Sequence, residues 1–539
     1  MPPIREVPLT PPRLQQSTEP AAASYAQLTT PRLSVHSRTL SVPRHEDDGA
    51  AAAEAEVAAA AALALKPNWI LYSSVLVALL QPLQYGWSTS QLNLSTFNDT
   101  DECNARPVAD HTCLMFPGHS KLEWTFAVNA WIVGGMIGSL TSGGFSDRLG
   151  RRTVLLLNCV FIIAGAVVQA TVSNIWVFAV GRVLAGVASG CATGVVGGYI
   201  NEISPPHLRN ALGVGFQISI TVGILLVGLT FFFADTSSGW RYIASFPVVI
   251  AGVFLALAPI AMVESPAWLL MMGRREDAKK ELARLFGEES VDVALGWLEV
   301  SSASSADDAE LAVQTDKIGV EAPSSSISLL FSPVLFRQLI TAVGIACAQQ
   351  LSGINAVFFY SSDIFKKAGI SDDRVGTLII DVVNVLPTFF SGWLATKYGN
   401  RTMLLAGMAG MVVSAVCMTI SLVTGVQALS IVFTATYVAA FGVSLGPLVW
   451  VVIADLFPDS VRASAASICI CLNWTSNLII GISYPYIADA LDDYGFVPFV
   501  GTLTLFYLFT YRVVPETSGK SSKEIQAMFA ALRKKNSLA

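Results

Sequence analysis

Long apolar stretches separated by short polar segments dominate the chain from Trp69 to about Val513. Most stretches are about 20 residues long, the length with which an α-helix spans roughly 30 Å of hydrocarbon. The pattern therefore predicts twelve membrane spans in two groups of six. The first group lies near residues 69–92, 123–145, 153–173, 176–201, 210–233 and 241–262. The second group lies near residues 333–361, 373–396, 402–424, 427–454, 463–488 and 494–513.

The polar segments divide the chain into five predicted regions. Residues 1–66 are rich in Pro, Ser, Thr, Ala and Arg without a periodic apolar face, which favours a disordered cytosolic tail over a transit peptide. The first long apolar run begins only after Lys66, so no cleavable signal peptide is predicted. The remaining regions are a six-helix bundle (67–263), a cytosolic linker with short helices (264–332), a second six-helix bundle (333–513) and a cytosolic C-terminal tail (514–539).

Lysine and arginine are unevenly distributed between the predicted loops. One set of loops carries Arg148, Arg151, Arg152, Arg209, Lys397, Arg401, Arg462 and a basic cluster after Gly273. The other set is richer in acids and carries Arg106, Lys121, Arg241, Lys366, Lys367 and Arg374. Because cytoplasmic loops are enriched in basic residues, the bias places both termini and the linker inside.

The segment 93–122 is then a predicted outer loop. It holds two glycosylation sequons, and Asn98 is the predicted acceptor because Asn93 lies too near the membrane. Cys103 and Cys113 share this loop, which allows a disulfide if the loop faces outside.

Composition supports a membrane protein and excludes several function classes. The chain has 539 residues, of which 53% are hydrophobic and 13% charged, whereas soluble domains average about 25% charged residues. A net charge of −6 argues against a nucleic-acid partner. There is no zinc-type CxxC pair or phosphate-binding glycine loop, and the five histidines lie in tails and loops. Neither an enzyme nor a cofactor is therefore expected.

Two sequence motifs occur once in each half. The segment Gly143–Thr153 resembles Ser391–Thr402, with an offset of 399 − 150 = 249 between glycines. An acid-x-x-Pro segment followed by Arg209 resembles the one followed by Arg462, with an offset of 462 − 209 = 253. Two motifs repeated in the same order, at nearly equal offsets, indicate a duplicated six-helix unit. Parallel six-helix repeats are typical of the major facilitator fold, so the predicted fold class is an all-α membrane protein of that fold.

The repeated motifs also predict a set of ion pairs at the inner face, which we call the inner-face latch. Glycines allow tight turns, and acids and arginines can pair across a helix interface; a simple positive-inside anchor is the alternative interpretation. The predicted latch residues are Asp147, Arg151, Arg152, Glu202, Arg209, Glu264, Arg401, Asp455 and Arg462.

Three carboxamides interrupt the first apolar stretch of the second half. Gln349, Gln350 and Asn355 lie within seven residues, and an unpaired amide in an apolar medium costs roughly 2–7 kcal/mol. They are therefore expected to meet protein, water or a ligand, and a neutral polyhydroxyl solute fits them. At about 100° per residue, Gln350 and Asn355 lie about 140° apart on an ideal helix. They share a face only if the Ser352-Gly353 pair breaks the helix.

Other polar groups in the spans extend this pattern. Gly442, Gly446 and Trp450 recur at i, i+4 and i+8, which predicts one helix face with bare backbone and a large aromatic platform. Amides donate and accept hydrogen bonds at once, as neighbouring sugar hydroxyls require. For an isolated Asn384 or Gln217, an interhelical hydrogen bond is the competing explanation.

Several motifs together resemble one family. They are Gly181-Arg182, Glu202-Ile203-Ser204-Pro205, Gln217, Val263-Glu264-Ser265-Pro266, Gln349 to Tyr360, Asn473-Trp474-Thr475-Ser476-Asn477 and Val514-Pro515-Glu516-Thr517. Over residues 69–525 the chain resembles a facilitative hexose transporter of the sugar porter family. The resemblance implies twelve helices, alternating access and a hexose bound between the halves. It implies sugar contacts at Gln217, Gln349, Gln350, Asn355, Asn384, Trp450 and Asn473, with Thr89, Phe441 and Tyr360 lining or gating the cavity.

The chain also departs from the family pattern. Ser88 stands where proton-coupled relatives carry an Asp, and because a serine does not titrate near neutral pH, a uniporter is favoured and Arg182 is expected to be structural. Thr396 and Asn400 stand where Glu and Arg are common in the second-half loop. Gly442 and Ala267 likewise replace a glutamate and an arginine. We therefore hypothesise a weaker second-half latch and a less favoured inside-closed state.

The expected function is facilitative uniport of a hexose, with D-glucose favoured, by alternating access in the plasma membrane. A proton-coupled sugar symporter is the alternative, and a non-transporting sugar sensor is a weaker one. Ala346-Cys347-Ala348 lacks the polar triplet of some glucose-selective relatives, so the choice between glucose and fructose stays open. The expected partners are a hexose and the lipid bilayer, and the oligomeric state is left open.

Overall fold

A computed structural model describes residues 65–97, 114–302, 326–367, 369, 371–520 and 522–537. Regular secondary structure in these residues is helical throughout. Three predictions lie outside the described residues: the structure of the tail up to residue 64, glycosylation of Asn98, and a disulfide between Cys103 and Cys113.

Eight α-helices form the described part of the first half. They are α1 (Trp69–Ala78), α2 (Leu80–Ser90), α3 (Lys121–Leu149), α4 (Arg151–Thr171), α5 (Ile175–Ile203), α6 (Pro206–Thr230), α7 (Gly239–Ser245) and α8 (Pro247–Ala261). A capping box starts α3, where the Ser120 side chain accepts from the Glu123 backbone and Glu123 accepts from Ser120. Close packing of α3 on α5 relies on glycine: a Cβ at Gly186 would lie 2.0 Å from the Trp131 carbonyl oxygen.

Short helices follow in the predicted linker. They are α9 (Pro266–Met271), α10 (Arg275–Phe286), α11 (Val291–Ser302) and α12 (Ser326–Leu330). The apolar side of α10 and α11 packs against the first half through Leu282, Leu285 and Leu298. These helices lie in the region predicted to be a linker, and its cytosolic location stays a prediction.

Nine α-helices follow in the described residues, eight in the second half and one in the C-terminal tail. They are α13 (Phe336–Leu351), α14 (Ile354–Lys367), α15 (Asp373–Tyr398), α16 (Asn400–Val423), α17 (Gln427–Gly442), α18 (Leu445–Leu456), α19 (Asp459–Leu491), α20 (Val497–Val513) and α21 (Ser522–Ser537). The two halves meet along α3 with α19 and α6 with α15.

The helices follow the predicted spans. Within the described ranges, nine helical stretches are long and apolar enough to cross a membrane, and they coincide with nine of the twelve predicted spans. The other three spans are occupied by α1 with α2, by α3, and by the shorter apolar α20. The number of helices that cross the bilayer stays a prediction.

The duplicated loop motifs adopt the same backbone conformation. Gly150 separates α3 from α4 with φ 93° and ψ 159°, and Gly399 separates α15 from α16 with φ 90° and ψ 148°. Positive φ favours glycine, which lacks a Cβ. The internal repeat predicted from the sequence is therefore visible in the backbone.

Candidate functional site

The helix break predicted at Ser352-Gly353 is present. Helix α13 ends at Leu351 and α14 begins at Ile354. Gly353 has φ +86°, and a Cβ there would lie 2.5 Å from the Phe499 ring. Glycine is required twice over, because a side chain would strain the backbone and collide with an aromatic ring.

The break brings the carboxamides together. Asn355 Nδ2 donates to Gln350 Oε1, which an unbroken helix would not allow, and also to Asn477 Oδ1 at 2.8 Å. Gln350 Nε2 donates to Asn473 Oδ1 at 3.0 Å, and Asn473 Nδ2 donates to Gln349 Oε1 at 2.8 Å. We call Gln349, Gln350, Asn355, Asn473 and Asn477 the amide cluster. All five side chains are buried.

Gln349 ties this cluster to a second helix break. Its amide donates to the carbonyls of Leu445 and Gly446 at 2.9 and 3.0 Å. The prediction that Gly442 shares one continuous helix face with Gly446 and Trp450 is wrong, because α17 ends at Gly442 and α18 begins at Leu445. Pro447 explains the break, since it lacks an N–H and its ring clashes with the carbonyl four residues earlier.

Trp474 connects the cluster to the first half. It follows Asn473, is almost fully buried, and its ring lies 5.2 Å from Trp131 and 5.6 Å from Tyr85 between centroids. A Cβ at Gly135 would lie 2.5 Å from this indole. Trp474 and Asn477 were not among the predicted site residues, although both lie in the Asn473–Asn477 motif.

The remaining predicted sugar contacts lie on other helices. Gln217 on α6 and Trp450 on α18 are half-buried. Asn384 on α15 is buried, and its Oδ1 has no hydrogen-bond partner among the described residues. Four of the seven predicted contacts therefore form one network, and these three stand apart from its described hydrogen bonds.

The predicted cavity or gate residues are buried at helix packing positions. Thr89 Oγ1 donates to the Tyr85 carbonyl at 2.9 Å, and the Phe441 ring lies against Gly446. The Tyr360 hydroxyl donates to the Gly481 carbonyl at 3.1 Å, at a point where the backbone of α14 departs from helical angles. Their role as gates stays a prediction.

Polar contacts join the two halves at one end of the molecule, which we call the predicted outer end because it carries the loop after α2. Ser90 Oγ donates to the Phe358 carbonyl at 3.1 Å, and Asn93 Nδ2 donates to Ser361 Oγ at 2.8 Å. The Ser95 backbone N–H donates to Ser362 Oγ at 2.8 Å. Asn93 is buried in this contact.

Charged groups reinforce the same contact. Arg374 Nη1 lies 3.3 Å from Asp235 of the first half and pairs with Asp372 of its own half. Lys121 of the first half forms an ion pair with Asp489 of the second. The Arg374 guanidinium holds the pKa of the Asp372 carboxyl below its usual value, so this pair is ionised at neutral pH.

The first-half latch lies at the opposite end, which we call the predicted inner end. Arg151 forms a bidentate pair with Glu202, with Nε to Oε2 and Nη2 to Oε1 both at 2.9 Å, and lies 3.3 Å from Asp147. Glu264 Oε1 accepts from the backbone N–H groups of Arg151 and Arg152 at 2.8 and 3.1 Å.

Two other predicted latch residues of the first half make contacts through backbone groups. The Arg152 side chain has a buried Nε without a partner among the described residues, so its described latch contact is through the backbone. Arg209 Nε donates to the Ser204 carbonyl, and its guanidinium lies 5.2 Å from the Trp297 ring centroid of the linker.

The second-half latch uses a residue that was not predicted. Glu516 accepts from the backbone N–H of Arg401 at 3.2 Å, in the position that Glu264 holds beside Arg151. The sequence offset, 516 − 264 = 252, falls between the offsets of the other repeats and was a usable signal. The Arg401 guanidinium donates to the Tyr511 carbonyl, Arg462 Nε donates to the Ala454 carbonyl, and Asp455 interacts with Thr517.

Ser88, whose neutral side chain favoured a uniporter in the sequence, bonds through both its hydroxyl and its carbonyl. The Ser88 hydroxyl accepts from Gln84 Nε2 at 2.8 Å, and the Ser88 carbonyl accepts from Arg182 Nη1 at 2.9 Å. Arg182 Nη2 also donates to the Val128 carbonyl, and its guanidinium lies 5.7 Å from the Trp131 ring centroid. These backbone contacts agree with the expected structural role of Arg182.

Comparison with known proteins extends over most of the chain. The family described as "Sugar (and other) transporter" matches residues 72–529. The human protein "Solute carrier family 2, facilitated glucose transporter member 4" is 35% identical over 477 residues, covering 85% of this chain and 90% of that protein. The chicken facilitated glucose transporter member 2 is 36% identical over 425 residues, covering 76% of each chain.

Solved structures share the fold. A partially occluded inward open conformation of the xylose transporter XylE from E. coli superposes with a TM-score of 0.69 at 23% identity, covering 84% of this chain and 100% of that one. The same symporter bound to 6-bromo-6-deoxy-D-glucose gives a TM-score of 0.68 at 23% identity, covering 85% and 98%. The predicted major facilitator fold is confirmed. With the family matched from residue 72 to 529 and relatives at 35% identity, the chain belongs to the sugar transporter family and is a sugar porter of the major facilitator superfamily, not an enzyme.

Proposed function

We propose that the chain is a facilitative uniporter for a hexose, with D-glucose as the favoured substrate, and that it works by alternating access in the plasma membrane with both termini in the cytosol. The observation that carries this proposal is the amide cluster, which lies at a helix break beside the contact between the halves. The names of the facilitated glucose transporter relatives favour the same substrate class.

The chemistry of the cluster suits a polyhydroxyl ligand. Gln349, Gln350, Asn355 and Asn473 already exchange hydrogen bonds with one another, so their orientation is set before a ligand arrives. Each amide offers donors and acceptors, as each sugar hydroxyl does. A sugar would replace part of the amide-to-amide pairing with amide-to-hydroxyl bonds, with little net change in the number of satisfied groups.

Closure at the predicted outer end favours an inward-facing or occluded state. Hydrogen bonds from Ser90, Asn93 and Ser95 to α14 seal that end. For a sugar to enter from outside, these bonds must break while α14 moves. The Gly353 break provides a hinge for that movement, because it separates α14 from the rest of its span.

A uniport mechanism is supported by the neutral environment of Arg182. In the described structure its guanidinium donates to the backbone carbonyls of Ser88 and Val128. A proton-coupled symporter would need a titratable group that exchanges its proton with both sides of the membrane. Protonophore treatment separates the two mechanisms, since uniport of glucose down its gradient survives it and proton-driven accumulation does not.

Gln350→Ala tests the proposed site. The substitution removes three hydrogen bonds from the centre of the amide cluster, and we expect saturable uptake of radiolabelled D-glucose to fall at least tenfold in cells that lack their own hexose transporters. Surface biotinylation checks that the protein still reaches the plasma membrane.

Gln338→Ala is a matched control. Gln338 is a buried glutamine on the same helix, but it pairs with Gln526 at 2.6 Å, away from the cluster. It should leave the affinity for glucose within about twofold. Unchanged uptake by Gln350→Ala at normal surface abundance would refute the assignment of the sugar site.

A further inference from the structure

Asp381 is an acidic residue within an apolar span and has no role in the site described above. It lies on α15, is 1% exposed, and its Oδ2 has no hydrogen-bond partner among the described residues. An isolated carboxylate is very expensive to bury, and such groups take up a proton instead. Ionisable residues inside membrane spans commonly mark proton or ion pathways.

The carboxyl group sits in the contact between the two halves. Gly228 in the last turn of α6 leaves the room for it, since a Cβ at Gly228 would lie 2.4 Å from Asp381 Oδ2. This contact belongs to the outer third of α15, about 12 Å from its first residue at roughly 1.5 Å per residue. Separation of the halves at the predicted outer end would expose Asp381 to water.

Two buried oxygens on α15, Asp381 Oδ2 and Asn384 Oδ1, lack hydrogen-bond partners among the described residues, and one proton shared between them would satisfy both. Asn384 follows Asp381 by three residues, and side chains so spaced are neighbours on a helix. Its Oδ1 is also buried without a partner among the described residues. Two acceptors cannot bond to each other, but a protonated carboxyl has an O–H that can donate to the Asn384 amide.

Other titratable groups near α15 are at its ends or are neutral. Helices α6, α14, α16, α17 and α18 pack against it. Their ionisable residues are His207 and Arg209 on α6, Tyr360, Asp363, Lys366 and Lys367 on α14, Arg401 and Cys417 on α16, Tyr437 on α17 and Asp455 on α18; α15 itself carries Asp373, Arg374, Lys397 and Tyr398. Arg374 is two turns from Asp381 and is paired with Asp235 and Asp372.

We propose that Asp381 is a proton-binding site that links protonation to closure of the predicted outer end. On closure, the carboxylate accepts a proton from hydronium in the outer solution, which leaves water, and the resulting carboxylic acid is buried against Gly228. On opening, the acid returns its proton to water on the same side. Protons are therefore not carried across, and sugar transport stays uniport; the inference rests on the alternating-access part of the proposed function.

The direction in which external acid shifts closure of the predicted outer end distinguishes Asp381 from the carboxylates that pair with Arg374. External acid favours closure through Asp381, because the neutral acid is buried at lower cost. Protonation of Asp372 has the opposite effect, since it loosens Arg374, which also pairs with Asp235 of the first half. The pKa of Asp372 is held below its usual value, so the Asp372–Arg374 pairing is lost only in stronger acid than the test below uses.

Labelling of a reporter cysteine without sugar tests the proposal. Ser90→Cys, in a background with Cys103 and Cys113 replaced by serine, is exposed to a membrane-impermeant methanethiosulfonate between pH 8 and pH 5.5. Each rate is divided by the rate for the same protein carrying Asp381→Asn, which mimics the neutral acid and cancels the pH dependence of the thiol. We expect a ratio well above one at pH 8 that falls toward one in acid, by up to about tenfold per pH unit for one linked proton.

A second variant and a transport assay complete the test. Gly228→Ala pushes the carboxyl out of the contact, so labelling should be faster than in the parent at pH 5.5 while gel filtration shows a folded protein. A ratio that does not change with pH, or Asp381→Asn labelling faster than the parent, would overturn the proposal. A further outcome would also contradict the proposal: a proton gradient drives accumulation of glucose against its gradient, and Asp381→Asn abolishes this accumulation. The proton of Asp381 would then cross the membrane instead of returning to the outer side. Because labelling uses no sugar, its outcome is independent of whether glucose is the substrate.

Discussion

The two latches at the predicted inner end share one backbone and differ in their side-chain chemistry. In both, a glycine with φ near 90° starts a helix whose first N–H groups are bound by a glutamate from a distant segment, Glu264 in the first half and Glu516 in the second. In the first half the arginine after the glycine forms a bidentate ion pair with Glu202. In the second half Arg401 donates to a neutral carbonyl, that of Tyr511.

The backbone contact with a glutamate occurs in both halves, whereas the bidentate ion pair of Arg151 is described in the first half. The backbone-to-glutamate contact satisfies helix N-terminal donors that otherwise have no partner, so both halves need it. The arginine–glutamate pair at this position is found in the first half, and the hypothesis of a weaker second latch stays a prediction. The described pairs join helix ends within one half, and a latch between the halves in another state stays a prediction.

The largest expected difference comes from the two arginines. Arg151→Ala removes a half-buried bidentate pair and should lower the free energy of unfolding by roughly 2–3 kcal/mol. Arg401→Ala removes one hydrogen bond to the Tyr511 carbonyl and the contact of the guanidinium with the Tyr511 ring, whose centroid is 5.5 Å away. The free energy of unfolding should fall by about 1 kcal/mol. Thermal unfolding of the purified proteins in one detergent measures both. Equal losses would show that the two latches are energetically equivalent despite their chemistry.

An intermediate and equal effect is expected from the two glutamates. Glu264→Gln and Glu516→Gln each keep an acceptor oxygen but remove the negative charge beside a helix N-terminus, which is worth about 0.3–1 kcal/mol. The same unfolding measurement should give losses that agree within about 0.5 kcal/mol. A much larger loss for Glu264→Gln would mean that the backbone contact is also stronger in the first half.

The smallest effect is expected from restoring charges to the second latch. Thr396→Glu with Asn400→Arg adds an ion pair between an exposed position and a buried one, which we expect to be worth no more than the about 0–1 kcal/mol of a surface pair. It also removes the bond from Asn400 Nδ2 to Thr517 Oγ1 at 2.9 Å. We expect a shift of about threefold toward the inside-closed state, read as slower labelling of a cysteine at the inner end. Asn400→Ala controls for the lost bond, and a double variant that labels like it would contradict the hypothesis of a weak second latch.

The sequence determined the helices and their duplication because both depend on local patterns. Apolar runs of span length predict helices in a membrane, and the glycine-arginine loops repeat at a nearly constant offset. The break at Gly353 was also predictable, since buried amides on opposite faces of one helix would otherwise lack partners. The break after Gly442 was missed, although Pro447, whose ring clashes with the carbonyl of Val443 four residues earlier, is sufficient to explain it.

Only the tertiary structure decided which polar groups meet. Glu516 is more than 110 residues from Arg401, and Asn477 is about 120 residues from Asn355, so helix periodicity does not say that they touch. The pairing of Asp381 with Gly228 depends on how α6 and α15 cross at the interface between the halves. The amides at the centre of the proposed site were visible in the sequence because burial made them conspicuous. Which amide bonds to which was not visible in the sequence, because it follows from the packing of α13, α14 and α19 around one helix break.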